Sequence, residues 1–442
     1  MFKYLPHTEA DIKEMLEVIG VKSLDELFQE IPKELLGKDL DIPLSHSELE
    51  IYQRFNELAA KNKVLIPFVG AGAYDHYTPS VIRHLIERQE FLTAYTPYQP
   101  EISQGTLQYI FEYQSLICEL TGMDVSNASM YDGATATAEA MMMAANARNK
   151  KKVMISKTVN PNIIKVVETY AKYRDIEVEL VDEKDGITNI EDFTSKNDSD
   201  NACLIVQNPN FYGIIEDYNS YRAILDETKG LLIMNSDPST LAILKTPAEY
   251  GADIACGDAQ TLGIPLSFGG PYIGYLATTT KLMRKMPGRI CGVTTDSEGK
   301  RAFVLTLQAR EQHIRREKAN SNICSNQSLL ALFVTIYVAI MGKKGLEEAQ
   351  MNSYNATHYL LDSLTKLPTF SQAFDHEFFK DVAVKTTLDP KVIDQALFEH
   401  GFLGPLQLGK FDSTKKDILL FSATEKRTKA EIDRLVEVLE AL

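Results

Sequence analysis

Beyond residue 63 the apolar positions of this chain fall into short runs at 153–155, 176–181, 203–207, 231–235, 253–256 and 273–277. Runs this short and this rich in β-forming residues read as strands. Segments with helical spacing, 137–146, 162–173 and 218–229, lie between many of them. The alternation predicts a mostly parallel sheet covered by helices, with ligands expected at the carboxyl ends of the strands, where Gly, Pro, Asn and Asp cluster.

The flanking regions follow other periods. Residues 1–62 carry helical spacing and much charge: Asp11 is placed to cap a helix bearing Ile12, Met15, Leu16 and Ile19, and Gly20 to end it. A second segment, 45–61, opens on Ser47 and repeats Leu49, Tyr52, Phe55 and Leu58 at spacings of three, so its apolar face should meet another surface, its own domain or a partner. After a long helix that includes the apolar run 329–341 come further helices over 347–367, a strand at 382–386 and a last helix over 429–442. Three parts follow: a helical arm (1–62), a large α/β domain (63–325) and a smaller α+β domain (326–442).

Composition narrows the function classes. The 442 residues, 44% apolar, suffice for two or three domains with a substantial core. With 46 Lys and Arg against 61 Asp and Glu, the net charge of -15 excludes a general affinity for nucleic acid or anionic membrane. The 13 residues of 329–341 fall short of the roughly 18 expected of a membrane span and read as a buried helix. Residues 1–10 lack the apolar core of a signal peptide. Cys118, Cys203, Cys256, Cys291 and Cys324 show no C-x-x-C spacing, so no zinc site or disulfide framework is indicated and a reducing cytoplasm is the expected location.

Four stretches carry candidate chemistry. In TAYTPYQPEISQG (93–105), Pro97 and Pro100 forbid a regular helix and hold Tyr95, Thr96, Tyr98 and Gln99 in an irregular loop, which suits either a site or a rigid connector. In NASMYDGATATAEAM (127–141) a turn at Asp132 and Gly133 leads into small residues, Thr135 among them, that open a helix whose N–H groups face an anion or simply pack closely. LLIMNSDPSTLAIL (231–244) delivers Asp237 at the end of a strand, either as a site carboxylate or as an Asp-Pro turn. Around QAREQHIRREKANSNIC (308–324), Arg310, His313, Arg315, Arg316 and Lys318 concentrate positive charge, suited to an anionic ligand or acidic partner, or to a solvated helix face paired with Glu311 and Glu317.

Taken together these stretches resemble the glycine-decarboxylating P proteins of the glycine cleavage system, which are pyridoxal-phosphate (PLP) enzymes. The run 308–324 is the most specific of them. The resemblance covers nearly the full length and is to subunit 1 of the two-subunit form, the counterpart of the amino-terminal half of the longer single-chain form. It implies a fold-type I, aspartate-aminotransferase-like large domain with a smaller α+β domain and a helical arm. Register on Ile264-Pro265 and Gly269-Gly270-Pro271 puts Gln260 where the family's cofactor lysine stands, in a loop without any lysine. An amide cannot form a Schiff base, so PLP is expected on a companion subunit. Gly133, Thr135, Asp237 and Gln260 would then line a relic pocket.

The resemblance further implies an α2β2 assembly in which glycine loses CO2 and its aminomethyl group passes to the lipoyl arm of H protein, with a functional link to T and L proteins. Tyr95, Thr96, Tyr98 and Gln99 are expected to complete the companion's active site, and the basic run to face the lipoyl-carrying partner. Two rivals stay open: a non-catalytic scaffold for the companion, and a stand-alone PLP lyase or transaminase. The latter needs a lysine at the loop, from which Lys245 and Lys281 are remote.

Overall fold

A computed structural model describes residues 4, 6–36, 42 and 45–442; the rest of the expected arm lies outside them. Contacts divide the chain between Lys63 and Val64 into two units. The first contains helices Glu9–Ile19 and Glu48–Ala59. Asp11 is not the cap of the first: Thr8 is, its hydroxyl accepting from the Asp11 amide while the Asp11 carboxylate accepts from the Thr8 amide, so the aspartate is the third member of a capping box. Ser47 and Glu50 repeat the device on the second helix. Leu49, Tyr52, Phe55 and Leu58 are exposed there.

The second unit is organised around a seven-stranded sheet. Its strands are β1 (Val125–Ser126), β2 (Lys152–Ser156), β3 (Glu177–Val181), β4 (Asn201–Gln207), β5 (Leu231–Asn235), β6 (Ile254–Asp258) and β7 (Gly274–Thr278). The spatial order is β1-β7-β6-β5-β4-β2-β3. Strands β6, β5, β4, β2 and β3 run parallel, while β7 is antiparallel to both of its neighbours. Both faces are covered, and the register shows it. On β4 and β5, Leu204, Val206, Leu232 and Met234 enter one core while Cys203, Ile205, Leu231 and Ile233 enter the other. That two-sided burial is why these strands appear as apolar runs without alternation. The helix Gly133–Arg148 lies against the second face, and its run of alanines and methionines is buried almost throughout.

A hairpin, β8 (Ile290–Thr295) with β9 (Arg301–Thr306), packs on the helix Gln104–Thr121. Gln114 there exchanges two hydrogen bonds with the Cys291 backbone, and Gln104 two with that of Phe303. The helical run Ser328–Leu364 is broken at Gly342. Its first part supplies Ala331, Val334 and Tyr337 to the main core. Its second part supplies Leu360 and Leu364 to another core, built on the antiparallel sheet of β10 (Phe370–Gln372), β11 (Asp381–Thr386), β12 (Leu406–Gln407) and β13 (Ile418–Ser422). Because this helix serves both cores, and because Ile66–Pro67 pairs with Phe402–Leu403, residues 64–442 form a single contact unit with no separation near 325. The 37-residue helix is, beyond the 13-residue run at 329–341, long and apolar enough by composition to cross a membrane, and 44% of its apolar window is buried inside the fold.

Candidate functional site

The carboxyl ends of β4, β5 and β6 open on a cavity of about 380 Å³. Gln207, Asn235 and Asp258, the last residues of those strands, line it, together with the loop 70–74, the start of the helix Gly133–Arg148, and Lys380 and Asp381 from β11 and the turn before it. Parallel strands all end on the same side of the sheet, and the cavity forms there.

Asp237 lies two residues past β5 and is held from several sides. Its Oδ1 accepts from the Ser239 amide (2.9 Å), the Ser239 hydroxyl (2.7 Å) and the Thr261 hydroxyl (2.5 Å). Its Oδ2 lies 2.5 Å from Lys380 Nζ, an ion pair between nearly buried side chains. Burial alone would raise the Asp237 pKa, but the Lys380 ammonium and these donors keep it below the ordinary carboxylate value.

Lys380 also donates to His76 Nε2 (2.9 Å) and Ser239 Oγ (3.3 Å) and sits 4.1 Å from the centre of the Tyr74 ring. An ammonium only donates, so His76 Nε2 must accept and its proton resides on Nδ1, which donates to Glu425 Oε2 at 2.7 Å. Burial and the adjacent ammonium lower the His76 pKa and keep the ring neutral. Burial opposes ionisation of Glu425, yet the bonds from His76 and the Tyr77 amide hold it down at about 2. The Tyr74 hydroxyl donates to Asp381, whose carboxyl burial pushes up to about 6.

The expected anion site is already filled. At the start of the helix Gly133–Arg148 the Asp132 carboxylate accepts from the Thr135 amide (2.9 Å), and Thr135 Oγ1 accepts from the Asp132 amide in return. The Gly133 amide donates to Asp258 Oδ2 at 3.0 Å. A Cβ at Gly133 would stand 2.7 Å from the Asp258 nitrogen, so only glycine lets the two backbones approach. Burial raises the Asp258 pKa to about 7. Gly133 and Thr135 are therefore spent on the chain's own carboxylates, a departure from the phosphate reading of this turn.

Gln260 is completely buried and faces away from chemistry. Its Oε1 accepts from the Tyr74 amide (2.9 Å), and its Nε2 donates to the carbonyls of Tyr74 (2.8 Å) and Ile264 (2.6 Å). The side chain thus clamps the 70–74 loop against the turn after β6. Sequence reasoning missed Tyr74, His76, Asp258, Lys380 and Glu425. Asp258, two residues before Gln260, was the one within reach; the others arrive from distant segments and carry no local signature.

These residues do not fit a bound pyridoxal phosphate. No amine is available at position 260, the carboxylate suited to a pyridinium already holds an ammonium, and two carboxylates occupy the helix start where a phosphate would need free N–H groups.

The remaining candidates lie elsewhere. Tyr95 and Tyr98 are 85% and 68% exposed, Gln99 is exposed, and none of Tyr95, Thr96, Tyr98 and Gln99 lines the cavity. Buried Pro97 anchors the loop, and Arg289 stacks on Tyr98 at 5.7 Å. The basic run is not a helix face: a turn Gln312–Arg315 passes into a 3-10 turn Arg316–Lys318 through Arg316 at φ 53°. Arg310 is engaged within its own chain. Its guanidinium donates to the carbonyls of Leu307, Met286 and Gly288, and burial pushes its pKa down. His313 sits 3.7 Å from Glu311, while Arg315, Arg316 and Lys318 are exposed. Because Tyr98 meets Arg289 and Arg310 meets Met286 and Gly288, the tyrosine loop and the basic run adjoin one segment, 286–289.

Comparison with known proteins agrees along the whole chain. The family described as glycine cleavage system P-protein matches residues 2–439. The probable glycine dehydrogenase (decarboxylating) subunit 1 of Moorella thermoacetica is 49% identical over 440 residues, covering 99% of each chain. The crystal structure of a glycine decarboxylase (P-protein) of the glycine cleavage system in inhibitor-bound form superposes with a TM-score of 0.92 at 40% identity over 100% of both chains. A glutamate decarboxylase of Lactobacillus brevis, 14% identical, superposes with a TM-score of 0.70 over 92% of this chain and 94% of its own, a likeness of fold alone.

Proposed function

This chain belongs to the glycine cleavage system P-protein family, and on that premise we propose that it is the non-cofactor half of a two-subunit glycine dehydrogenase (decarboxylating). One observation carries the division of labour: the full-length match to a glycine decarboxylase coexists with a pocket in which Gln260 offers no amine and Lys380 and Asp258 take the contacts a cofactor would need. PLP then belongs to companion subunit 2, where it acts as the electron sink for loss of CO2 from glycine. The lipoyl arm of H protein receives the aminomethyl group, and T and L proteins continue the cycle.

This chain contributes surface. The Tyr95–Gln99 loop stands outside its own cavity with two exposed rings, which suits closure over the companion's active site in a dimer of heterodimers. Arg315, Arg316 and Lys318 offer cations to an acidic carrier protein. Five cysteines without disulfide bonds suit a reducing cytoplasm.

Coexpression with the companion subunit tests the reading. Glycine-dependent CO2 release with lipoylated H protein is expected from the reconstituted pair and from neither subunit alone. Full activity of the companion by itself would reduce this chain to a scaffold; activity of this chain by itself would overturn the proposal.

A further inference from the structure

We propose that this chain closes its cofactor-type pocket with its own side chains, Lys380 standing in for a pyridinium cation on Asp237 and Asp258 for a phosphate at the helix start, so that the pocket actively rejects the cofactor. The inference rests on the reading that PLP belongs to the companion, and it goes further. Absence of the lysine alone would prevent covalent attachment but leave noncovalent binding open, since most of the hold on such a ligand comes from its ring nitrogen and phosphate.

Each substitution is chemically matched. A pyridinium brings a positive charge to a strand-end carboxylate; Lys380 brings one to Asp237 Oδ2 at 2.5 Å as an ion pair, and places donors on His76 and Ser239. The ammonium is thus held by one ion pair and two hydrogen bonds, and His76 is fixed behind it by Glu425, which Ser353 Oγ and the Tyr77 amide also hold. A phosphate needs free N–H groups and a favourable potential at a helix start. Here Asp258 takes the Gly133 N–H and Asp132 the Thr135 N–H, so an incoming dianion meets two side-chain carboxyl groups in place of those donors. Gln260 completes the closure by fastening the Tyr74 loop, whose ring lies over Lys380. What remains open is a cavity of about 380 Å³, roomy but with the wrong charges.

The test uses the assembled complex with the companion's cofactor fixed by borohydride, so that any new uptake reports on this chain. The probe is pyridoxamine 5′-phosphate, which needs no lysine, followed by equilibrium dialysis and by the melting temperature. Wild-type complex should take up none at this chain. Lys380→Met with Asp258→Ala, which frees the Gly133 N–H, should take up one equivalent per chain, at least about tenfold more tightly than wild type, with ligand-dependent stabilisation. Adding Asp237→Asn should abolish that uptake.

One equivalent bound by the wild-type chain, or none by the assembled double variant, would overturn the inference. A second pair of variants decides the matter should the first fail to assemble. Lys380→Met strands a buried carboxylate and should lower the melting temperature, whereas Lys380→Met with Asp237→Asn should recover at least half of the loss; equal losses would overturn the internal pairing. Glycine decarboxylation by the untreated wild-type complex is measured in parallel. Activity with a failed binding result removes only this inference, and its absence removes only the functional reading.

Discussion

Replacing Gln260 by leucine should unfasten the loop that walls the cavity. The side chain is fully buried, and leucine would leave two groups without partners, the Tyr74 N–H and the Ile264 carbonyl, and would take one of two donors from the Tyr74 carbonyl, which keeps the His76 amide. Each such group costs about 1–3 kcal/mol when no water reaches it. Relaxation of the loop recovers some of that, so a net loss of about 2–4 kcal/mol is expected, in the upper part of the range for single substitutions.

Gln260→Glu separates the hydrogen-bond account from a packing account, because its shape is conserved. A carboxylate still accepts from the Tyr74 amide but turns the contacts with the Tyr74 and Ile264 carbonyls into repulsions. Protonation restores one donor. The introduced carboxyl therefore has a folded pKa above its unfolded value of about 4.3, so its stability is fully present below that value and is lost as pH rises through the folded pKa. Because 442 residues in two units need not unfold in one step, the midpoint of the transition that exposes the Tyr74 amide is compared, with hydrogen exchange locating it. The leucine variant should melt at least about 5 °C lower at every pH, and the glutamate variant should approach wild type near pH 5 and fall away by pH 8. A leucine shift below about 2 °C, or a glutamate variant indifferent to pH, would refute the clamp.

Further expectations concern the outer surface and the pocket's titration. Alanine at Tyr95 or Tyr98, both exposed, should lower turnover of the reconstituted complex by about tenfold or more without altering its assembly by sedimentation; unchanged turnover in both removes the loop from the companion's site. Neutralising Arg315 and Arg316 should flatten the salt dependence of turnover with H protein, and an unaltered slope counts against docking there. Asp258, with its pKa raised from 3.8 to about 7, favours the folded state below 3.8 and loses that contribution as pH rises to 7. Asp258→Asn, which can still accept from the Gly133 amide, should remove much of that fall; an identical pH–stability profile would show that Asp258 is not its source.

The parallel strands were readable because burial on both faces writes itself into the chain as unbroken apolar runs, and the strands at 203–207 and 231–235 fall where those runs stand. Strand β7 shows what was overlooked. The segment between β6 and β7 is a loop that brings the chain straight back, so β7 pairs antiparallel to β6. Asp11 was misjudged by a rule applied one residue type too early, since a threonine three positions before an aspartate satisfies both ends of the capping box. Arg310 could not be sorted from its neighbours at all. Only the fold shows that the carbonyls of residues 286 and 288 point at it and that Arg315 and Arg316 have no such targets among the described contacts.

The pocket was legible as a place and not as a state. Asp237 and Gly133 stand at the strand end and helix start where their sequence contexts put them, and the substitution at 260 announces that covalent attachment is impossible. What sequence could not supply is the identity of the groups that meet them, because Lys380, His76 and Glu425 approach from other segments and no local spacing marks them. That asymmetry follows from what each signal encodes. Periodicity and turn residues record the local backbone, which a single segment determines, whereas the charge state of a cavity depends on groups converging from five or six segments. A carboxylate in such a place is ambiguous until its cation is known. With an ammonium on Asp237 and both Asp132 and Asp258 on the helix start, the groups that set the charge of this cavity are visible only in the fold.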